Sequence, residues 1–309
     1  MTTWRLCFDS LNGLSVGDAV GAQFFVPGTC VADVDGDHEP AQPWPWTDDT
    51  EMACSIVGEL RARERIDQDR LAAAFARRFE PYRGYGGGAV MLLRRIRDGV
   101  PWRDASRAAF GGQGSMGNGA AMRVAPLGAF HAGDSRTAAL EAMASAEVTH
   151  AHAEGILGAV AVAVAAAEAG WARLIGDRPE PAEFLDGILP YLVDSRVRTG
   201  VERARRLIGA SVAEAAYVLG NGSGVLAQDT VPFALWVAAT RIGDYRAAIL
   251  ACVEAGGDVD TTAAIVGGIV AAYTGEESAR ATVAGTRVAG TPAAWLRRRE
   301  PLPPLLPDT

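Results

Sequence analysis

Gly256-Gly257-Asp258-Val259-Asp260-Thr261-Thr262 opens directly into the apolar run Ala263–Tyr273. Two carboxylates stand one residue apart, with two hydroxyls behind them and two glycines in front. In an extended lead-in, residues i and i+2 point the same way, so Asp258 and Asp260 can converge on one point. Thr261 then falls at the mouth of a helix, where backbone N–H groups lack partners. Hard cations such as Mg²⁺ and Mn²⁺ take carboxylate, hydroxyl and water oxygens, which this cluster offers. Helix capping accounts for the same residues, because Asp and Thr are favoured at N-caps and acids suit a first turn. On this stretch alone both readings stand.

The rest of the chain reads as helix. Alanine-rich segments recur, and the Val/Ile/Thr alternation of a half-buried strand is almost absent. Residues 4–21 suit a first helix ending in Val16-Gly17-Asp18-Ala19-Val20-Gly21, whose two glycines allow another backbone to approach closely. Residues 26–46 carry two glycines and four prolines and read as loop. Residues 67–80 and 90–98 read as further helices. The longest apolar run, Ile156–Ala167, has 12 residues, too short to span a bilayer, and reads as a buried helix. Among 309 residues no linker is long enough to divide the chain. The expectation is an all-α fold, a compact single-domain orthogonal helical bundle over 1–300, with a proline-rich tail at 301–309.

Composition bounds the function. Hydrophobic content of 49% with 21% charged residues is ordinary for a globular chain. A net charge of −8, with no dense Lys/Arg run, disfavours a nucleic-acid partner. Cys7, Cys30, Cys54 and Cys252 are scattered without a C-x-x-C pair, which argues against a zinc knuckle or disulfide scaffold and fits a reducing compartment. The N-terminus lacks the charged and apolar regions of a secretion signal. A cytoplasmic monomer without membrane attachment is expected.

A second acidic cluster lies far upstream, in Trp46-Thr47-Asp48-Asp49-Thr50-Glu51-Met52. Thr47 is a natural N-cap, and Met52, Ala53, Ile56, Val57 and Leu60 follow at helical spacing. Two glycine-rich loops intervene. Tyr82-Arg83-Gly84-Tyr85-Gly86-Gly87-Gly88 is flanked by aromatics. Gly111–Gly119 feeds Ala120–Pro126, and such a loop at a helix N-terminus is a good anion cradle, though it matches neither a P-loop nor a dinucleotide fingerprint. Flexible linker explains it equally well. Thr149-His150-Ala151-His152 opens the buried helix. The two histidines diverge on a helix and make a poor metal pair. A third loop, Gly220–Gly224, precedes the apolar helix around Val231–Trp236.

Taken together, these markers resemble the ADP-ribosylglycohydrolase family, from about residue 8 to residue 275. In order they are Gly17-Asp18-Ala19-Val20-Gly21, Trp46-Thr47-Asp48-Asp49-Thr50, Gly117-Asn118-Gly119-Ala120-Ala121-Met122-Arg123, Thr149-His150 and Gly256-Gly257-Asp258-Val259-Asp260-Thr261. The resemblance implies an all-α fold with two Mg²⁺ or Mn²⁺ ions at the bottom of a cleft. It implies Thr47, Asp48, Asp49, Asp258, Asp260 and Thr261 as metal ligands. It places Ser115, Gly117, Asn118, Gly119 and His150 on an ADP-ribose ligand, with Tyr85 and the Gly220–Gly224 loop as further candidates for enclosing it. The implied reaction is hydrolysis of the ribose C1 linkage of an ADP-ribosylated protein side chain (arginine or serine) or small molecule, with Asp49 and Asp258 as candidate catalytic carboxylates.

The chain departs from the family at two places. Several members carry a Glu where Phe25 stands here, and others an Asp in the loop that here reads Gly84-Tyr85-Gly86. Three functions therefore compete: an ADP-ribosylhydrolase, an ADP-ribose-binding or structural protein that has lost catalysis, and a metal hydrolase of another ribosyl or phosphate substrate. Turnover separates the first two, and product analysis exposes the third.

Overall fold

The computed structural model describes residues 1–35, 42–277, 282–283 and 285–305. Sixteen α-helices lie among them: α1 (Thr3–Gln23), α2 (Val31–Asp35), α3 (Asp48–Arg63), α4 (Gln68–Arg78), α5 (Gly87–Arg97), α6 (Trp102–Gly112), α7 (Ala125–Phe130), α8 (Ser135–Glu147), α9 (Ala153–Ile175), α10 (Pro181–Ile188), α11 (Arg196–Arg206), α12 (Val212–Leu219), α13 (Ala227–Thr240), α14 (Tyr245–Ala255), α15 (Val259–Thr274) and α16 (Ala293–Arg298). The strands among the described residues are β1 (Thr282–Val283) and β2 (Thr286–Arg287), an antiparallel pair. The fold is all-α, as the composition and periodicity predict.

The most extensive helix pairing among the described residues is α1 on α15, and small residues allow it. Gly13, Gly17 and Gly21 recur every four residues and so share one face of α1. A Cβ on Gly17 would lie 2.1 Å from the carbonyl oxygen of Ala263, and one on Gly21 would lie 2.5 Å from Cα of Asp260. Two backbones therefore touch along this seam. Ser10 Oγ donates to the Gly268 carbonyl at 2.8 Å, and the Tyr245 hydroxyl donates to the Gly13 carbonyl at 2.5 Å. The predicted close approach at Gly17 and Gly21 thus has α15 as its partner.

The predicted buried helix is α9, 23 residues rather than 12. It is long and apolar enough to cross a membrane, but α7, α8, α13 and α15 surround it and 83% of its most apolar window is buried. Val160, Val162 and Val164 are almost wholly enclosed, and each such side chain contributes about 1.5–3 kcal/mol of gross burial. Apolar residues of α1, α3, α9, α13 and α15 belong to one core cluster.

Several loops differ from their sequence reading. The 26–46 segment contains α2, while 36–41 fall outside the described residues. Gly87 and Gly88 are the first residues of α5 rather than loop. Asn118–Ala120 form a 3₁₀ turn, and the following helix begins only at Ala125. Residues 306–309 of the predicted tail also lie outside the described residues. Residues 299–305 pack back on the fold: Trp44 and the C-terminal segment exchange backbone bonds (Trp44 N–H to Arg298 O, 2.7 Å; Glu300 N–H to Trp44 O, 2.9 Å), and Trp46 Nε1 donates to Pro301 O at 3.2 Å. Arg83 stacks over the Trp46 ring at 3.5 Å and forms a bidentate ion pair with Glu300 at 2.7 and 2.9 Å. This clamp fixes the lead-in to Thr47.

Candidate metal centre

Both acidic clusters sit at helix mouths, as their sequence suggests, but they do not act as caps. Thr47 occupies the N-cap of α3 and Asp258 that of α15, and neither side chain makes a capping bond. Thr47 Oγ1 instead lies 2.9 Å from Asp18 Oδ1 and 3.0 Å from Asp49 Oδ2. Asp258 Oδ2 accepts from Asn118 Nδ2 at 2.6 Å. The side chains are turned toward neighbouring polar groups instead of their own helix N–H groups.

Carboxylate oxygens of Asp18, Asp49 and Asp260 all lie within 4.8 Å of one another. Asp260 and Asp49 belong to the predicted ligand set. Asp18 does not, and it is the site residue that the sequence reading missed. It projects from the glycine seam of α1, fully buried, and the contact of Gly21 with Asp260 brings it against the mouth of α15. Its two oxygens accept from Thr47 N–H (2.9 Å), Thr47 Oγ1 (2.9 Å), Thr50 N–H (3.2 Å) and Thr50 Oγ1 (2.5 Å). The available signal was an acid between the glycines Gly17 and Gly21 on a largely buried helix.

Electrostatics ties the remaining acids to this cluster. Burial, then the charge of Asp18 foremost among its neighbours, pushes the Asp48 carboxyl up to about 8. Burial raises Asp18 to about 6, against the pull of the Thr50 and Thr47 hydrogen bonds. Burial first, and then neighbouring carboxylates, hold Asp49 and Asp260 well above the ordinary range. Burial also raises Asp258, while hydrogen bonds from Asn118 and Thr261 draw it back. Five acids that resist ionising together are what a bound cation would relieve. Asp49 is 1% exposed and its Oδ1 has no partner. An orphaned buried carboxylate oxygen facing other acids fits a hard divalent cation.

The glycine-rich loop borders this cluster. Asn118 also donates to Thr230 Oγ1 at 3.0 Å, which fixes its amide between α13 and Asp258. Gly117 N–H donates to Ser115 Oγ at 3.2 Å, and backbone bonds to Val225 and Ala227 hold the loop. The His150 ring lies against Gly117 and Gly119. His152, not His150, caps α9, accepting from Glu154 N–H at 3.1 Å. Ser115, Gly117, Asn118, Gly119 and His150 are thus together.

Tyr85 is placed differently. It is buried, its hydroxyl donates to Glu51 Oε2 at 2.6 Å, and its ring meets Phe79 edge-on at 4.8 Å. The backbone of Gly84, at φ +92°, lines the cluster instead: a Cβ there would be 3.4 Å from Asp48 Oδ1. Phe25 follows α1 on an exposed turn. A cavity of about 1010 Å³ lined by Arg178, Arg241 and Arg287 lies elsewhere. It opens at the N-terminal end of α14, whose 11 residues span roughly 16 Å, and the acidic cluster follows the other end.

Comparison with known proteins places the chain in a family. The ADP-ribosylglycohydrolase family profile matches residues 7–300. The chain is 31% identical to human (Homo sapiens) ADP-ribosylhydrolase ARH3 over 259 residues, covering 74% of this chain and 71% of that one. It is 30% identical to ADP-ribosylhydrolase ARH3 of Bos taurus, covering 86% and 84%. The solved structure of an ADP-ribosylglycohydrolase-related protein complex superposes with a TM-score of 0.64 at 26% identity, covering 96% of this chain and 93% of that one. The chain belongs to the ADP-ribosylglycohydrolase family.

Proposed function

We propose that the chain is a divalent-metal-dependent hydrolase that cleaves the ribose C1 linkage of ADP-ribosylated side chains or small molecules and releases ADP-ribose. The observation that carries this reading is the convergence of Asp18, Asp49 and Asp260 beside the Gly117–Gly119 loop, joined through the 2.6 Å bond from Asn118 to Asp258. Thr47, Asp48, Asp49, Asp258, Asp260 and Thr261, with Asp18 added, would hold two Mg²⁺ or Mn²⁺ ions. Such ions supply Lewis-acid stabilisation and a water of lowered pKa.

The chain's own groups divide the remaining work. Asn118 positions Asp258 and borders the ligand loop. Ser115, Gly119 and His150 would present donors to diphosphate and ribose oxygens, while Gly117, whose N–H is taken by Ser115 Oγ, keeps the loop free of a side chain there. Asp258 is half-buried, whereas Asp49 is enclosed. Asp258 is therefore the better placed of the two to take the proton of the attacking water, and Asp49 serves as a ligand. Phe25 and Gly84 contribute no acid, so protonation of the leaving group falls to the cluster or to solvent.

The test is mass-spectrometric detection of free ADP-ribose from arginine-linked and serine-linked ADP-ribosyl peptides, with Mg²⁺ and then with EDTA. Release from one linkage that EDTA abolishes is the expected result and names the leaving group. EDTA-resistant release refutes the metal assignment. Absence of turnover with ADP-ribose still bound favours the second reading, an ADP-ribose-binding protein, for which the missing acids at Phe25 and Gly84 are the motivating observation.

A further inference from the structure

Arg123 is an anomaly. It follows the Gly117–Gly119 loop, is fully buried, and has no carboxylate partner among the described residues. Its guanidinium lies 4.5 Å from the centre of the Phe75 ring. Nη1 donates to Met52 Sδ at 3.3 Å, and Nη2 donates to Ser145 O at 3.0 Å and Thr149 Oγ1 at 2.9 Å. Nε has no partner. A buried cation held only by neutral acceptors is costly. Burial lowers its pKa to about 9.

The contact with Thr149 has a consequence one residue on. Thr149 Oγ1 is 2.7 Å from Nδ1 of His150. A guanidinium can only donate, so Thr149 Oγ1 accepts from it. The hydroxyl has one proton, and His150 Nδ1 is the remaining acceptor in reach. Directing that proton at Nδ1 gives the hydroxyl a partner both as acceptor and as donor, and it leaves Nδ1 bare and puts the imidazole proton on Nε2. Nε2 faces the loop: added Cβ atoms on Gly117 and Gly119 would each lie 3.4 Å from it, so only glycine leaves it uncovered. On the other side the ring rests against Gly155. Burial, and then the charge of Arg123, drives the His150 pKa down to about 3, so the ring is neutral near pH 7.

We infer that Arg123 and Thr149 are positioning residues that lock His150 as an Nε2–H donor aimed at the Gly117–Gly119 loop. The ligand atom this donor takes is an acceptor oxygen of a diphosphate or ribose, a statement that rests on the ADP-ribose reading above. The relay itself does not depend on that reading.

The experiment uses the full chain with ¹⁵N-labelled histidine, with His150 assigned by comparison with His150→Asn. Long-range proton–nitrogen correlations report the tautomer without any ligand, and calorimetry with ADP-ribose reports affinity. Wild type is expected to show the Nε2–H form alone. Thr149→Val, which keeps the shape and removes the hydroxyl, is expected to populate both tautomers and bind ADP-ribose ~10-fold more weakly, the loss of about one directed hydrogen bond. Thr149→Ser is expected to restore both readouts. A wild-type Nδ1–H form, or a Thr149→Val protein that keeps the pure Nε2–H form, overturns the relay. Failure of wild type to bind ADP-ribose counts against the proposed function, and the nitrogen spectrum then decides the relay alone.

Discussion

Asp18→Asn tests whether the residue that the sequence reading missed belongs to the metal centre. Asp18 receives backbone N–H donors from Thr47 and Thr50 and both of their hydroxyls. An amide keeps one acceptor oxygen and turns an NH₂ toward the other donors. The hydroxyls can rotate to accept, but a backbone N–H cannot, so the loss is ~1–3 kcal/mol. Against this, burial raises the Asp18 pKa from 3.8 to about 6, so keeping it ionised above that pH costs about 3 kcal/mol in metal-free protein. The two effects nearly cancel, and the metal-free variant is expected within ~2 kcal/mol of wild type. With metal the two proteins should separate. Mg²⁺ at about 100 times its Kd stabilises wild type by ~2.7 kcal/mol, a Tm rise of roughly 4 °C for a chain of 309 residues. Weakening the site ~10–100-fold, as loss of a supporting carboxylate does, removes ~1.3–2.3 kcal/mol of that. Thermal unfolding after EDTA stripping, with Mg²⁺ titrated back, measures it. An Asp18→Asn protein with the full Mg²⁺-induced Tm shift at the same midpoint concentration would refute the assignment.

Three further outcomes are expected. In metal-free protein Asp48 and Asp18 hold protons up to about pH 8 and 6, whereas unfolded aspartates release them near 3.8. The folded state therefore binds more protons, stability falls as pH rises from about 4 to 8, and Mg²⁺ flattens the slope; urea midpoints at pH 6 and 8, with EDTA or Mg²⁺, check the sign. Gly17→Ala would set a Cβ 2.1 Å from the Ala263 carbonyl oxygen, forcing α1 off α15 at a cost of ~1–3 kcal/mol; an unchanged Tm and an unchanged Mg²⁺ shift would count against the seam. Tyr85→Phe removes the Glu51 contact and is expected to lower stability by ~1–2 kcal/mol while leaving the ADP-ribose Kd within about twofold; a larger affinity loss would return Tyr85 to the ligand site.

Local chemistry explains how much of the site could be read from the chain. Thr47-Asp48-Asp49 and Asp258-Val259-Asp260-Thr261 stand where a polar lead-in meets an apolar run, so their helix-mouth positions are a local property. The same local rule left open what their side chains do, and the fold decides it: Thr47 and Asp258 spend their hydrogen bonds on Asp18, Asp49 and Asn118 rather than on the free N–H groups of their helices. Asp18 lies mid-helix, where neither capping nor turn chemistry marks it. Tyr85 stood beside a glycine loop and suggested ligand contact, yet its partner is Glu51 in the first turn of α3.

The sequence by itself determined the all-helical character, the buried course of α9, the helix mouths that bear the acids and the glycine face of α1, because each depends on periodicity or spacing within a single segment. Only the tertiary structure decided that α15 fills that glycine face, that five acids crowd together, that His150 turns inward while His152 caps, and that Arg123 reaches His150 through Thr149. These are contacts between segments far apart in the chain. Their geometry is set by how closely the backbones can approach, which no local pattern of residues encodes.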